Sequence, residues 1–525
     1  MKKRFDEKYD GPEKKLEIIL NSQEQGLRTV PHERWQEVVR AGHAKILSRV
    51  STESLDAYLL SESSLFIWED KLVMITCGDT SPVKAIPEIM SIIDKDKIAL
   101  IMYSRKTNTY SKEMGSSFKQ EAERIETFFP GRHYCLGSHE LDHMHLFYSN
   151  NGYTGKDCPN VTFQIFMHDL DNSVMEDFTI ADKPVELPAV LTPIFKQVIP
   201  RMLTDSHMFN PSGFSLNGIF EDQYLTIHVT PGPECSYMSF ETNVNKKDYS
   251  GIVSNITSCF KPERFFIVFS SDDHCHDSPH PTLYKQSVMY KEREKNCFDL
   301  ESGSRIVFMN FCKNSPREIV RNIASKLFED SNGSHDWEHT LRVLRLCEKI
   351  GKMEGADMDV LTIAAYLHDV GRCHQDRTNG EICHAEEGAG MADGIIDVLD
   401  LTDEKKRNII HCIKSHRFRG ESRPKTIEAK VLFDADKLDA IGAIGVARAY
   451  LFAGELGARL HNPNNNIEDT KPYSKDDTGY REFMVKLCRI KTGIITDEGR
   501  KIAEERHDFM EKFFKRFLEE HNGER

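Results

Sequence analysis

The sequence predicts two domains of different class: an α+β domain of antiparallel sheets covered by helices, followed by an all-α domain. Up to about Phe311, strand-like runs alternate with helical runs but lack the regular βαβ rhythm of a parallel sheet. After Asn314, helical periodicity dominates to the end of the chain. We therefore expect domains at residues 1–314 and 315–525.

The composition limits the class of protein. A chain of 525 residues with 39% hydrophobic and 29% charged residues is typical of soluble globular domains with large cores. The formal net charge of -14 argues against nucleic-acid or anionic-membrane partners, because phosphate affinity depends on clustered Lys and Arg. We expect no signal peptide and no membrane span. The 13 cysteines are scattered without Cys-x-x-Cys spacing, which favours reduced thiols in a cytoplasmic protein.

Local pattern predicts the elements of the first half. The mixed charged and apolar residues of 13–20 predict the start of a helix. Runs rich in β-branched and aromatic residues predict strands at 65–75, 98–103, 161–167, 224–229 and 265–269.

In the second half, Ser315 and Pro316 have the pattern of an N-cap followed by proline in the first turn of a helix. The stretch 462–466, rich in Asn, predicts a loop. Three other segments have helical periodicity: one apolar face at Val343, Leu346, Cys347 and Ile350, an all-apolar run at 360–367, and an amphipathic tail at 497–520.

A polar tetrad interrupts an apolar stretch near the start of the chain. Residues 58–68 read Tyr-Leu-Leu-Ser-Glu-Ser-Ser-Leu-Phe-Ile-Trp, which alone would predict a strand, a turn and a second strand. Five other segments accompany it: 9–14 (Tyr-Asp-Gly-Pro-Glu-Lys), 76–78 (Thr-Cys-Gly), 208–218 (Met-Phe-Asn-Pro-Ser-Gly-Phe-Ser-Leu-Asn-Gly), 226–231 (Thr-Ile-His-Val-Thr-Pro) and 236–243 (Ser-Tyr-Met-Ser-Phe-Glu-Thr-Asn).

Together these segments closely resemble the eukaryotic-type S-adenosylmethionine decarboxylases, pyruvoyl enzymes of polyamine synthesis, over about the first 315 residues. Several motifs in one order are far more specific than any one of them. The resemblance implies a sandwich of two antiparallel sheets flanked by helices. It also implies that the chain cleaves itself between Glu62 and Ser63 and converts Ser63 into a pyruvoyl cofactor, whose carbonyl withdraws electrons during decarboxylation.

The resemblance assigns further roles in processing and catalysis. Ser215 and His228 match the residues that assist self-cleavage, and Cys77 matches the proton donor that acts after CO2 leaves. Glu13 matches a carboxylate on the substrate side. If found alone, Ser215, His228 and Cys77 would each be interpreted as structural residues, because a strand-end serine, a hydrogen-bonded histidine and a buried cysteine are common in proteins.

The substrate side chains of the family also have counterparts. Tyr9 and Phe209 match the aromatic pair that stacks on adenine, and Asp10 stands where the family tends to have glutamate. One position departs from the pattern, because Gly232 replaces the glutamate that commonly binds the ribose hydroxyls. Glu234 lies two residues further on and could take this role only if the loop is rearranged.

This departure leaves alternatives open. The first half could be a pyruvoyl decarboxylase acting on ornithine or arginine, or a non-catalytic regulatory relative. The stacking pair favours the nucleoside substrate, and the retained Ser63, Cys77, Ser215 and His228 favour catalysis. Diamine stimulation, known in some members of the family, depends on acidic residues of which only Glu241 can be placed.

A second set of motifs lies in the second half, at His339, His368-Asp369 and Asp436. Their flanks, at residues 334–343, 365–372 and 433–445, resemble the HD-domain metal-dependent phosphohydrolases over about residues 317–470. The resemblance makes these four residues ligands of a divalent metal. Imidazole and carboxylate without sulfur suit Mn, Fe, Co, Ni or Mg, which polarise a phosphoryl oxygen and activate water.

Other residues of this half are candidates for substrate or second-metal binding. Lys437 and Arg372 are candidates for substrate phosphate, or are solvated charges. His335 is interpreted as a cap or an outer group rather than a ligand. His384, His411 and His416 could supply a second metal, whereas the Cys373-His374 and Cys383-His384 doublets do not have the usual spacing of a zinc site.

The sequence thus predicts a bifunctional cytoplasmic enzyme, a self-processing S-adenosylmethionine decarboxylase joined to an HD phosphohydrolase. Its expected partners are small molecules, namely S-adenosylmethionine and a nucleotide or other phosphoester, with a homodimer as a possible assembly. The rival interpretation of the second half is a nucleotide-binding regulatory module without activity.

Overall fold

The structure is a computed structural model, and it describes residues 13–21, 26–61, 63–107, 117–155, 160–179, 191–199, 201–210, 212–232, 235–272, 281–328, 336–372, 384–417, 422–463, 467, 470–471 and 474–525. Contacts group the chain into two compact units, Met1–Lys313 and Asn314–Arg525. Within the described parts of the chain, no helix is long and apolar enough to cross a membrane.

The first unit contains two eight-stranded antiparallel sheets. The first sheet has the order β2-β3-β4-β5-β1-β6-β8-β7, with β1 (Lys14–Leu20), β2 (Ile46–Ser51), β3 (Asp56–Leu60), β4 (Ser63–Ile67), β5 (Lys71–Thr76), β6 (Ile98–Thr107), β7 (Arg132–Leu136) and β8 (His143–Asn150). The second has the order β10-β11-β12-β13-β9-β14-β16-β15, with β9 (Val161–His168), β10 (Leu203–Met208), β11 (Phe214–Phe220), β12 (Gln223–Thr230), β13 (Tyr237–Thr242), β14 (Arg264–Ser271), β15 (Tyr290–Asp299) and β16 (Arg305–Lys313).

Helices cover the outer face of each sheet. They are α1 (His32–Ala41), α2 (Ile86–Met90), α3 (Phe118–Glu126), α4 (Asn172–Met175), α5 (Thr192–Val198) and α6 (Ser250–Phe260). Trp35 of α1 belongs to the core behind the first sheet, and Ile256 of α6 to the core behind the second. Between the sheets, side chains such as Leu146 and Phe266 form a third core. The predicted sandwich of two antiparallel sheets flanked by helices is confirmed.

Residues 13–20 correct one prediction, because they form the strand β1 and not a helix start. β1 lies inside the first sheet, where Ile18 pairs with Leu72 of β5 and with Ile101 of β6. Leu16 and Ile18 are fully buried on one face, while Ile19 packs into the core between the sheets. Lys, Glu and Leu favour a helix locally, but pairing on both sides overrides this propensity.

The predicted strands inside β6, β9, β12 and β14 are confirmed. The run at 65–75 is two strands and not one, because β4 ends at Ile67 and β5 begins at Lys71. The backbone N–H of Trp68 donates to the carbonyl of Lys71, which closes a tight turn around the polar Glu69 and Asp70.

The second unit is helical where it is described. Its helices are α7 (Pro316–Leu327), α8 (Trp337–Glu354), α9 (Met358–Leu367), α10 (His384–Asp397), α11 (Asp403–Ser415), α12 (Ile427–Asp439), α13 (Gly442–Glu455), α14 (Gly479–Val485) and α15 (Asp497–His521). The predicted cap is confirmed, because Ser315 accepts a bond from the backbone of Glu318 and the Glu318 side chain accepts one in return. The all-apolar run lies in α9 and the amphipathic tail is α15.

Candidate active sites

Ser63 begins β4 in a conformation that side chains rarely adopt. Its φ is +144°, it is buried, and it pairs with Leu60 of β3 and with Thr76 of β5. Backbone outliers of this kind are held by their surroundings and concentrate at functional sites. Residue 62 lies outside the described residues, so the outlier adjoins the predicted cleavage point on its C-terminal side.

His228 of β12 faces Ser63 from the second sheet. Its Nε2 lies 3.5 Å from Ser63 Oγ, 3.4 Å from Ser64 Oγ and 2.9 Å from Thr226 Oγ1. Its Nδ1 lies 2.9 Å from Oγ of Ser215, its register partner on β11. Burial lowers the pKa of His228 to about 3, so the ring is neutral near pH 7 and can accept a proton.

Asn217 ties this group to the strand before the cleavage point. Its Oδ1 accepts bonds from Ser64 Oγ at 2.6 Å and from Thr226 Oγ1 at 3.0 Å. Its Nδ2 donates to the carbonyl of Tyr58 on β3 at 3.2 Å. The amide therefore fixes both sides of the β3–β4 turn against the second sheet.

Glu13 is buried beside this group. Its Oε2 accepts bonds from Tyr237 Oη at 3.0 Å and from Ser239 Oγ at 2.6 Å, and Ser239 is the register partner of His228. Burial raises the pKa of Glu13 to about 7. Lys106 Nζ lies 3.6 Å from the centre of the Tyr237 ring, and burial lowers its pKa to about 8. Two interacting groups that titrate near neutrality are typical of an active site.

Cys77 and Phe209 lie at strand ends. Cys77 directly follows Thr76, the partner of Ser63, and its carbonyl accepts a bond from the backbone of Thr80. Phe209 follows β10 and is partly buried, with its backbone N–H donating to the carbonyl of Gly213. The predicted Tyr9, Asp10, Glu62 and Glu234 lie outside the described residues.

The Gly232 position has little room for a side chain. A Cβ built there would lie 2.8 Å from the carbonyl oxygen of Cys235, closer than real Cβ contacts. A carboxylate at this position would therefore require a different path of the loop.

In the second unit, His339, His368, Asp369 and Asp436 converge. His339 Nε2 lies 3.7 Å from Asp369 Oδ2 and 3.5 Å from Asp436 Oδ1. His368 Nε2 lies 3.8 Å from Asp369 Oδ2, while its Nδ1 lies 2.8 Å from the carbonyl of Ala365. Burial lowers the pKa of His368 to about 4, which keeps the ring neutral as a metal ligand must be.

The other oxygen of Asp369 faces two more histidines. Asp369 Oδ1 lies 3.4 Å from His384 Nε2 and 3.6 Å from His416 Nε2, and the two ring nitrogens are 3.2 Å apart. Asp369 thus stands between two groups that could each hold a metal ion. His411 is not among them, because its Nε2 accepts a bond from the backbone of Lys425.

Asp439 orients His339. Its Oδ2 lies 2.7 Å from His339 Nδ1, and it accepts bonds from Arg342 and Arg448. Burial opposes the charge, but these hydrogen bonds hold the pKa of Asp439 well below its ordinary value. Burial also opposes protonation of His339, yet hydrogen bonds to Asp436 and Asp439 raise its pKa to about 9. The ring is therefore protonated near pH 7 without a metal, and an ion bound there would displace this proton.

The two predicted phosphate ligands lie at the edge of this cluster. Lys437 Nζ donates to Asp436 Oδ2 at 2.6 Å and to the carbonyl of His416 at 3.0 Å. Arg372 Nη1 lies 3.4 Å from His384 Nδ1. Lys437 therefore contacts a predicted ligand of the first metal, and Arg372 lies beside His384, a candidate ligand of the second.

Comparison with known families decides the class of the first unit. The model of adenosylmethionine decarboxylase matches residues 6–312. The chain belongs to the adenosylmethionine decarboxylase family. Similar relatives include the S-adenosylmethionine decarboxylase proenzyme of Dictyostelium discoideum, 30% identical over 58% of this chain and 86% of the relative. That of Caenorhabditis elegans is 34% identical over 51% of this chain and 78% of the relative.

The HD-domain model matches residues 336–441, so the decarboxylase-family unit is joined to an HD domain. Among solved structures, the Trypanosoma brucei AdoMetDC-delta26 monomer covers 48% of this chain and 99% of its own, at 21% identity and a TM-score of 0.39. The Bacillus subtilis YpgQ protein in complex with ADP covers 39% of this chain and 96% of its own, at 32% identity and a TM-score of 0.31.

The motifs identified most of both clusters but missed several partners. The structure brings Ser63, Ser215 and His228 together, and separately His339, His368, Asp369 and Asp436. The missed residues are Ser64, Asn217, Thr226, Lys106, Tyr237, Ser239 and Asp439. A usable signal was the period of two along β11 and β12, which places Asn217 on the face of Ser215 and Thr226 on the face of His228.

Proposed function

We propose that residues 1–314 form a self-cleaving S-adenosylmethionine decarboxylase, and residues 315–525 an HD phosphohydrolase. The observation that carries the first proposal is the position of Ser63: its backbone is an outlier and its hydroxyl lies 3.5 Å from a neutral, buried His228. A strand serine with only a structural role needs neither feature.

Self-cleavage begins with attack of Ser63 Oγ on the carbonyl carbon of Glu62. The C–O bond forms as the C–N bond breaks, which converts the peptide into an ester and frees the Ser63 amine. Loss of the Ser63 α-proton then expels the Glu62 carboxylate, and hydrolysis of the resulting enamine releases ammonia and leaves the pyruvoyl group. His228, held by Ser215 and Thr226, is the group placed to move these protons.

When formed, the pyruvoyl group supplies an electron-withdrawing carbonyl for decarboxylation. The residues around it bind substrate and hold protons. Glu13, with a pKa of about 7, can hold a proton or face the substrate amine. Cys77, next to the partner of Ser63, is proposed as the donor to the carbon that loses CO2, and Phe209 as a stacking surface for adenine.

Intact mass of the purified protein tests self-cleavage. We expect two fragments that split between Glu62 and Ser63, one chain only for Ser63→Ala, and slowed or abolished cleavage for His228→Ala. Ser64→Ala is the matched control, because Ser64 contacts the same ring but does not supply the attacking oxygen. Cleavage of the Ser63→Ala variant at the same bond would contradict the proposal.

Release of CO2 from carboxyl-labelled substrates then tests specificity. We expect S-adenosylmethionine to be used, and ornithine and arginine to be inert. The absence of a carboxylate at Gly232 makes this assay decisive, because a cleaved enzyme that releases CO2 only from ornithine or arginine would assign the alternative substrate class. The proposed role is in polyamine synthesis in the cytoplasm.

For the second unit, the side chains fit divalent metal. His368 Nε2 is buried and makes no hydrogen bond within the described residues, while its Nδ1 is bonded, as expected of a ligating imidazole. We infer that one ion is held by His339, His368, Asp369 and Asp436. The second group at Asp369, His384 and His416 favours a second ion.

Such metals supply Lewis acidity and an activated water for phosphoester hydrolysis. Arg372 and Lys437 are placed to bind the phosphate of a nucleotide or another phosphoester. Phosphate release from a nucleotide panel with Mn2+ tests this. We expect His368→Ala to lose activity and the ion held with His339, Asp369 and Asp436, and Ser63→Ala, the control, to keep its activity and its metal content. Metal binding without any hydrolysis would favour a regulatory module.

A further inference from the structure

Four side chains of metal-ligating types gather at the β7–β8 hairpin, which carries none of the residues grouped around Ser63 or Asp369. They are Cys135 on β7, His139 in the turn, and His143 and His145 on β8. The ligand atoms of Cys135, His139 and His143 all lie within 4.8 Å of one another. This cluster has no part in the proposed decarboxylation or hydrolysis.

The hairpin geometry brings these residues together. Cys135 is the register partner of His145, so the two side chains share a face of the sheet. His143 lies two residues before His145 and points to the same face, because side chains alternate along a strand. Gly137, with φ +95°, begins the turn that carries His139 back toward Cys135.

The spacings suit one metal ion. Zinc binds nitrogen at about 2.0–2.1 Å, so the ring centres of two bound histidines lie roughly 5.2 Å apart in a tetrahedral site. The ring centres are 4.9 Å apart for His139 and His143, 5.1 Å for His143 and His145, and 5.9 Å for His139 and His145. Cys135 Sγ lies 3.9 Å from His139 Nδ1, against roughly 3.6 Å for sulfur and nitrogen on one zinc ion.

Neighbouring groups fix the rings. His143 Nδ1 lies 2.8 Å from the carbonyl of Leu141, a hydrogen bond that leaves Nε2 for a ligand. The His145 ring stacks on Phe118 of α3 with a centroid distance of 4.9 Å. Ring packing alone accounts for His145, but it does not account for the approach of the exposed His139 to a cysteine.

We propose that Cys135, His139 and His143 bind a divalent transition metal, and that the mixed sulfur and nitrogen donors select zinc. β7 is the edge strand of the first sheet. A metal that joins β7, the turn and β8 would hold this edge in place. The role is therefore structural.

Cobalt titration of the full chain tests the site. Cobalt bound by a thiolate has a charge-transfer band in the near ultraviolet, whereas the described ligand atoms at Asp369 and its neighbours are nitrogen and oxygen only. We expect the band in the native protein, its displacement by zinc, and its loss in Cys135→Ser. His139→Ala should weaken cobalt binding at least about tenfold. Cys297→Ser, which removes an exposed thiol of β15, is the control and should leave the band unchanged.

Two results would contradict the proposed metal site: the absence of the charge-transfer band in the native protein, or an undiminished band in Cys135→Ser. If Cys135→Ser does not fold, His139→Ala decides, because that side chain is exposed in the turn and its loss leaves the core intact. Unchanged cobalt affinity in His139→Ala would then show a packing cluster of histidines and not a metal site.

Discussion

At the residue scale, both candidate sites use a buried histidine whose two ring nitrogens have different partners. In His228, Nδ1 contacts Ser215 and Nε2 faces Ser63. In His339, Nδ1 contacts Asp439 and Nε2 faces the carboxylates of the proposed metal site. In each ring, the partner of Nδ1 sets the orientation, and Nε2 faces the group that reacts or binds metal. Mutation of the Nδ1 partner therefore tests whether the orientation of the ring matters.

Asp439→Asn should weaken metal binding, because the amide cannot match the charge that fixes His339. Loss of an outer partner of this kind typically lowers metal affinity about 10–100-fold. Metal titration with circular dichroism as a folding check measures this. Asp359→Asn, which alters a half-exposed carboxylate of the same unit that pairs with Arg317 and Lys405, is the matched control and should bind metal normally. Equal losses in both variants would contradict an orienting role.

Gly232→Ala should disturb the loop after β12, because the added Cβ would lie 2.8 Å from the Cys235 carbonyl. We expect a destabilisation of about 1–3 kcal/mol, as for overpacked sites, or a shift of the loop with a raised KM. Denaturant unfolding and the CO2 assay separate these outcomes. Gly454→Ala is the control, because a Cβ there has open space. An unchanged KM and stability would show that the loop adapts freely.

At the element scale, β1 carries charged residues into the space between the sheets. Lys15 Nζ lies 2.7 Å from Glu241 Oε1 on the opposite sheet and 3.5 Å from Glu17 Oε2. Lys71 Nζ lies 2.8 Å from Glu17 Oε1, and Gln164 donates to Glu241. Lys15 therefore balances the negative charge of Glu241, the residue considered for diamine stimulation.

The buried Glu17 makes stability depend on pH. Burial opposes its charge, but Lys71 and Lys15 outweigh burial and lower its pKa to about 2, below the ordinary value of 4.5. Its contribution is fully present above about pH 4.5 and is lost as pH falls toward 2, because the unfolded chain binds the proton more readily. The contribution is about 3 kcal/mol by this shift.

Glu17→Gln should therefore be less stable near neutral pH and lose less stability on acidification. Denaturant unfolding between pH 2.5 and 7 measures this, because the interval covers most of the window from about pH 2 to 4.5 and extends to pH values at which the contribution is complete. Glu292→Gln is the control, because Glu292 is exposed on β15 and should leave the native pH dependence unchanged. A Glu17→Gln curve parallel to the native one would contradict the assignment.

At the scale of the whole molecule, each compact unit has its own core and its own candidate site. Ser63→Ala should leave phosphate release within about twofold of the native rate, and His368→Ala should leave self-cleavage within the same range, because effects at separate sites are usually independent. Both activities measured on both variants test this. Loss of either activity in the other unit's variant would show coupling between the units.

The sequence by itself determined the ordered motifs, some of the strands and helices, the change to helical periodicity near residue 314, and the residue types of both sites. These are local: alternation, capping and apolar periodicity act over a few residues. It gave the wrong element for β1, because the helical propensity of Lys, Glu and Leu is weaker than pairing with β5 and β6.

Only the tertiary structure decided which side chains meet. Ser63 and His228 are 165 residues apart, and His339 and Asp439 are 100 apart, yet each pair lies within 3.5 Å. The pairing of β7 with β8 places Cys135 opposite His145. Burial raises the pKa of Glu13 and lowers the pKa of His228. Such contacts depend on how sheets and helices pack, and the propensities of neighbouring residues do not predict that packing.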